Sequence, residues 1–234
     1  MADMKPLLVL MPGLDGTGDL FDEFAAELEG FCEILVLRYP KDQALDYGAL
    51  QPLVLRQLPL NRPLVLLGES FSGPLALRLA VLPELDCRGV ILAASFARYP
   101  LWWLAPVRHW VRHLKPLFGV LQTRLFSQFT ELMLKPGISD KALKVSREFD
   151  REVILSRIST LLAEDATPQL LALKVPVLYL RALLDLIVPY EAWRYVNKHR
   201  PDMITIDFAA HHLVLQAKPK EAAVAVRGFI AGLK

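Results

Sequence analysis

The sequence predicts an α/β fold: an open, mostly parallel, doubly wound sheet of about six strands, interrupted by a helical insertion. Three observations carry this. Short apolar runs of strand length alternate with segments of helical periodicity along nearly the whole chain. Several runs are continuously apolar, the pattern of parallel strands covered on both faces. The alternation fails once, between about residues 96 and 167, where helical periodicity continues without a convincing strand. At 234 residues the chain suits one domain, 1–234, carrying that insertion.

In order, Leu7-Leu8-Val9-Leu10-Met11 is the first strand, ending at the glycine-rich loop Pro12-Gly13-Leu14-Asp15-Gly16-Thr17-Gly18. Asp19 is placed to cap a helix in which Leu20, Phe21, Phe24 and Leu28 recur at helical spacing. Glu33 to Tyr39 is a second strand, closed by Pro40. Leu45 to Leu58 reads as a helix with Pro52 in its first turn, or broken there. Pro63 to Leu67 is a strand and Pro74 to Ala80 a helix, with Gly68-Glu69-Ser70-Phe71-Ser72-Gly73 between them. Gly89 to Ala94 and Val175 to Arg181 are strands on either side of the insertion. A short helix from Tyr190 to Lys198 and a strand from Met203 to Phe208 follow. A last helix starts at Pro219, with Ala222, Val226, Phe229 and Ile230 on its apolar face.

Composition narrows the classes. The hydrophobic fraction of 53% and mean hydropathy of +0.32 are high, yet no eighteen-residue apolar run occurs, so no membrane span is expected. A formal net charge of +2 gives no argument for a nucleic-acid partner. Cys32 and Cys87 have no metal or disulfide spacing and read as buried free thiols. The first strand begins near Lys5, leaving no room for a signal peptide, and a cytoplasmic location is expected.

The candidate chemistry starts at Gly68–Gly73. A serine on a sharp turn from strand to helix is exposed above the sheet, and the helix start offers free N–H groups to a developing oxyanion. The fifth position of this G-x-S-x-G pattern is Ser72 rather than Gly, a small residue not expected to break the turn. A serine nucleophile needs a base and an orienting carboxylate. Asp185 and His211-His212 each follow a strand, on the sheet edge that also carries Ser70. Alone, Ser70 reads as a helix cap, Asp185 as a turn residue and His212 as a structural histidine; the three in order read as a catalytic set. Ser72 and Ser95 are poorer nucleophiles, and Glu69 reads as a surface residue or one supporting the nucleophile from behind. Asp15 is placed to brace its loop by accepting backbone N–H groups.

Over nearly its whole length the chain resembles the α/β-hydrolase family. Pro12–Gly18 is similar to the family's P-G-x-D-G-T-G oxyanion loop, a form also found in plastid esterase and acyltransferase relatives. Asp185-Leu186-Ile187-Val188-Pro189 resembles its D-x-x-V-P acid segment, and His212-Leu213-Val214-Leu215-Gln216 its H-F-L-L-Q base segment. The resemblance implies that the Leu14 and Phe71 N–H groups form an oxyanion hole, and that Ser70, Asp185 and His212 form the triad. His211 stands where relatives often have Pro, which leaves adjacent histidines to choose between; register with the base segment favours His212. Ala182-Leu183-Leu184 makes the acid turn unusually apolar, which is expected to dry the site.

In the insertion, Trp103, Val107, Trp110, Val111 and Leu114 share one helix face, with Arg108, Arg112 and Lys115 on the other. One reading is a lid whose apolar residues, Trp102, Trp103 and Phe126 among them, line a substrate pocket. Its basic face would then meet an anionic partner, a membrane surface or an acyl carrier protein. The other reading is an ordinary amphipathic helix with a solvated basic face. His109 and His113 lack a third metal ligand, and no phosphate-binding glycine loop is present, so neither metal nor cofactor is expected. The expected activity is hydrolysis of carboxylic esters with a hydrophobic part, through an acyl-enzyme on Ser70. The alternatives are a thioesterase or acyltransferase using the same residues, and a non-catalytic binding protein of the same fold.

Overall fold

The computed structural model describes residues 6–100 and 150–233. Its six strands are all parallel: β1 (Leu7–Met11), β2 (Ile34–Val36), β3 (Leu64–Glu69), β4 (Cys87–Ala93), β5 (Val177–Ala182) and β6 (Ile204–Phe208), in the spatial order β2-β1-β3-β4-β5-β6. Strand side chains alternate between faces, and both faces are apolar. Val9, Met11, Leu66, Leu92 and Tyr179 pack on one side under α2 (Tyr47–Leu55), α3 (Gly73–Ala80), α5 (Thr167–Ala172) and α6 (Tyr190–His199). Leu8, Leu10, Leu67, Ile91 and Leu180 pack on the other under α1 (Asp22–Ala26), α7 (Val214–Ala217) and α8 (Pro219–Ala231). This is why the strands read as unbroken apolar runs. Ala222, Val226, Phe229 and Ile230 are the buried face of α8, as their spacing predicts.

Because β1 pairs with β2 on one side and β3 on the other, the chain reverses its direction of travel across the sheet at β1/β3. Ligands of such sheets sit beyond the strands' carboxyl ends at this switch point. The register Met11–Gly68 and Gly68–Leu92 places the Pro12 loop, Ser70 and Ser95 side by side on that edge.

Local expectations are corrected in four places. β2 is shorter than Glu33–Tyr39, because only Ile34 to Val36 pair with β1 before Tyr39 turns to donate its N–H to the Gly16 carbonyl. Gly18, with φ of 74°, takes the cap position expected of Asp19, whose carboxylate pairs instead with Arg38 at 2.7 Å. Pro52 lies inside α2 without breaking it: it is on the exposed side, as is Gly48, whose carbonyl loses its helical donor but remains open to water. Cys32 is only partly buried, whereas Cys87 is buried, with its thiol pushed up to about 11 by burial.

The segment 101–149 lies outside the described residues, and with it the expected lid residues Trp102, Trp103 and Phe126, the basic helix face, His109 and His113. What is described are the two roots. Arg98 bridges to Asp165 and the Ala166 N–H donates to the Ala97 carbonyl, so the described chain on either side of the interruption is joined there. The returning helix α4 (Arg151–Ala163) seats Val153, Ile154 and Leu155 in buried positions. No described helix is long and apolar enough to cross a membrane.

Candidate active site

β3 ends at Glu69, and Ser70 follows with φ of 50°, a left-handed conformation that costs a non-glycine residue about 1–3 kcal/mol. The turn is compressed on both sides. A Cβ on Gly68 would stand 2.6 Å from the Ser72 carbonyl oxygen, and one on Gly73 would stand 1.9 Å from Ser95 Oγ. Only glycine allows strand and helix this approach. Hydrogen bonds then hold the turn in place. Ser95 Oγ donates to the Ser70 carbonyl at 2.5 Å, and Tyr47 Oη donates to the Phe71 carbonyl at 2.6 Å. Ser72 is fully buried, lies 2.5 Å from Tyr39 Oη, and donates to the Pro12 carbonyl. The serine at the unusual fifth position thus ties the turn to the glycine-rich loop, and Ser95 supports the Ser70 backbone.

Asp185 and His212 converge on Ser70 because the β5–β6 pairing continues past the strands. Beyond Ala182–Phe208, the Leu183 N–H donates to the Phe208 carbonyl (2.9 Å) and the Leu184 N–H to the Ala210 carbonyl (3.0 Å). This stitch aligns the two loops. His212 Nδ1–H donates to Asp185 Oδ2 at 2.7 Å, leaving Nε2 to accept from Ser70 Oγ at 2.8 Å. Asp185 Oδ1 accepts the Ile187 and Val188 N–H groups, each at 2.8 Å. The carboxylate is 3% exposed and the imidazole 8%. His211 faces the other way, its Nδ1–H donating to the Leu184 carbonyl at 3.0 Å, so the structure joins His212 and not His211 to Ser70.

The side chains of the apolar acid turn lie at the surface, although its carboxylate does not. Among the described residues Leu183, Leu184 and Ile187 are exposed, and Leu186 is 76% exposed. The Asp185 carboxylate itself is enclosed, with the Ile187 and Val188 N–H groups and His212 as its hydrogen-bond partners.

The Pro12–Gly18 loop lies against the turn: a Cβ on Gly13 would lie 3.8 Å from Ser70 Cβ. Asp15 braces it as expected, accepting from the Thr17 N–H (2.9 Å) and hydroxyl (2.5 Å). The Gly16 N–H donates to the Gly13 carbonyl at 3.1 Å. Among the described residues no acceptor takes the Leu14 N–H, and the Phe71 N–H lies at the start of the helical turn after Ser70.

Glu69 is neither exposed nor ion-paired among the described residues. It is 2% exposed, and its Oε1 has no hydrogen-bond partner. Burial, with a smaller push from Asp15, raises its carboxyl to about 7 against the opposing pull of Gln216 and His212. An unfolded Glu ionises near 4.5, so between that pH and about 7 the native state keeps a proton that the unfolded chain has lost. Stability from this group is therefore full below about 4.5 and falls as pH rises through about 7. The expected size is about 3 kcal/mol at most. Glu69→Gln should flatten that decline, read as the difference in unfolding free energy between wild type and variant across pH 4 to 8. Parallel curves would count against it.

No described cluster of three metal-binding side chains exists. The family model of the alpha/beta hydrolase family matches residues 8–226. No curated protein sequence matches the chain. Among solved structures the chain is similar to an esterase from Exiguobacterium antarcticum, with a TM-score of 0.80 and 14% identity, over 98% of this chain and 93% of that one. An esterase from Rhodococcus sp. ECU1013 gives 0.77 and 16%, over 98% and 91%. The enol-lactonase from Burkholderia xenovorans LB400 gives 0.75 and 20%, over 97% and 91%. At these identities the likeness is one of fold.

Proposed function

Starting from the chain's membership of the alpha/beta hydrolase family, we propose that it is a serine hydrolase of carboxylic esters. The observation that carries this reading is the relay Asp185–His212–Ser70, closed at 2.7 and 2.8 Å with the carboxylate at Nδ1 and the serine hydroxyl at Nε2, the order that base catalysis needs. Ser70 Oγ attacks the acyl carbonyl as His212 Nε2 takes its proton. The buried Asp185 carboxylate holds the ring and stabilises the imidazolium. The Leu14 and Phe71 N–H groups meet the oxyanion, where one such donor is worth about a hundred- to a thousand-fold in turnover. The imidazolium then protonates the leaving alkoxide. Water, deprotonated by His212, releases the acid and restores Ser70. The cycle needs no cofactor.

The apolar character of Trp102, Trp103 and Phe126 supports a substrate with a hydrophobic acyl or alcohol part. A fluorophosphonate should label the folded wild type at Ser70 and leave Ser70→Ala unlabelled. Alongside it, a turnover panel of esters and thioesters across acyl lengths should favour oxygen esters, with release to water outrunning transfer to an added alcohol. Wild-type turnover by Ser70→Ala would sink the reading; preference for thioesters or for alcohol acceptors would move it to a thioesterase or an acyltransferase.

A further inference from the structure

Arg157 reaches the oxyanion loop from α4, 143 residues further along the chain. Its side chain belongs to a residue only 3% exposed, and among the described residues it has no ion pair. Its polar contacts among the described residues are backbone carbonyls. Nη1 donates to Leu14 O at 2.7 Å and to Asp15 O at 3.0 Å, and Nη2 donates to Pro40 O at 2.9 Å. The guanidinium lies 5.7 Å from the centroid of the Tyr39 ring. A Cβ on Gly16 would stand 2.6 Å from Nη1, so the glycine is what lets the cation sit against this loop. Burying a guanidinium without a carboxylate is costly, and this one is held by charge-assisted bonds to a loop whose glycines Gly16 and Gly18 have φ of 71° and 74°.

Building on the Ser70 reading, we propose that Arg157 is a positioning residue that sets the oxyanion loop. Leu14 sits between two anchored peptide planes. Ahead of it, the Gly13 carbonyl accepts from Gly16 N–H; behind it, its own carbonyl accepts from Arg157. In a trans peptide the N–H points opposite the carbonyl of its own plane, so the bond from the Gly16 N–H to the Gly13 carbonyl sets the direction of the Leu14 N–H. Arg157 holds that bond from the far side, because the Asp15 carbonyl it binds shares a peptide plane with the Gly16 N–H. Arg157 never meets the substrate; it acts through that donor. The planar fork is needed because separate nitrogens serve Leu14 and Pro40, a span a lysine ammonium does not reproduce. Val153, Ile154 and Leu155 bury α4, so the returning end of the insertion is tied mechanically to the oxyanion loop.

The test compares wild type, Arg157→Lys and Arg157→Met, each counted by the endpoint of fluorophosphonate labelling so that only folded sites enter. Per labelled site, Arg157→Met should lose about ten- to a hundred-fold in kcat on a p-nitrophenyl ester with KM nearly unchanged, the scale of a small misplacement of a catalytic group. Arg157→Lys should fall between. Affinity for a trifluoromethyl ketone, which forms an anionic tetrahedral adduct with Ser70, should fall by the same factor as kcat. A purely structural role would lower the thermal midpoint while leaving kcat per site and ketone affinity at wild-type values, and that outcome overturns the assignment. If Arg157→Met does not fold, Arg157→Lys alone decides. An inactive wild type overturns the Ser70 reading and this assignment together; an active wild type with unimpaired variants overturns the assignment alone.

Discussion

His212→Ala is expected to lower kcat on an activated ester by roughly 10⁵- to 10⁶-fold, and His211→Ala by no more than a few-fold. The adjacent rings are separated by what they touch. His212 Nε2 is 2.8 Å from Ser70 Oγ, with Asp185 behind it at 2.7 Å. His211 spends its Nδ1–H on the Leu184 carbonyl and has no path to the serine. Losing the base removes proton transfer in both acylation and deacylation, so the effect should appear in kcat at every pH and match that of Ser70→Ala. Steady-state kinetics on purified variants decide it. A large loss at 211 with a small one at 212 would reverse the assignment.

Asp185→Asn should cost roughly 10⁴-fold in kcat with little loss of stability, the size expected when an imidazole is held in the wrong tautomer. The reason lies in the two N–H donors on Oδ1. Ile187 and Val188 both point at that oxygen, each at 2.8 Å, so the amide oxygen of Asn must take its place. The NH₂ is then forced toward His212 Nδ1, which must accept rather than donate. The ring proton moves to Nε2, where it blocks removal of the Ser70 proton. Kinetics together with the histidine ring nitrogen shifts in NMR would show both halves. Retention of a tenth or more of wild-type kcat would mean that Asp185 does not orient the base.

Much of this site was legible because its parts are local. A glycine-flanked serine between an apolar run and a helix is a turn whatever surrounds it, and Gly68 is required by contacts within a few residues, whereas Gly73 is required by Ser95 and Phe96 beyond the end of β4. Asp15 bracing its own loop is likewise a two-residue contact. Pro52 and Asp19 misled for a related reason. Whether a helix tolerates proline depends on whether the orphaned carbonyl meets water, and the cap at Gly18 depends on packing against Val36, neither of which neighbouring residues report.

By itself the sequence determined the alternation of strands and helices, the two-sided burial of the sheet, and the order in which a serine, an acid and a histidine leave strand ends, because each follows from periodicity and composition over short windows. Only the tertiary structure decided which histidine reaches Ser70, since that turns on the Leu184–Ala210 hydrogen bond between loops about 25 residues apart. Only it placed Glu69 in the interior, and only it carried Arg157 across 143 residues onto the oxyanion loop. In the sequence Arg157 is one more basic residue on a helix. Its role exists because folding brings three backbone carbonyls to one guanidinium, and backbone carbonyls leave no mark on the identity of the residues that bear them.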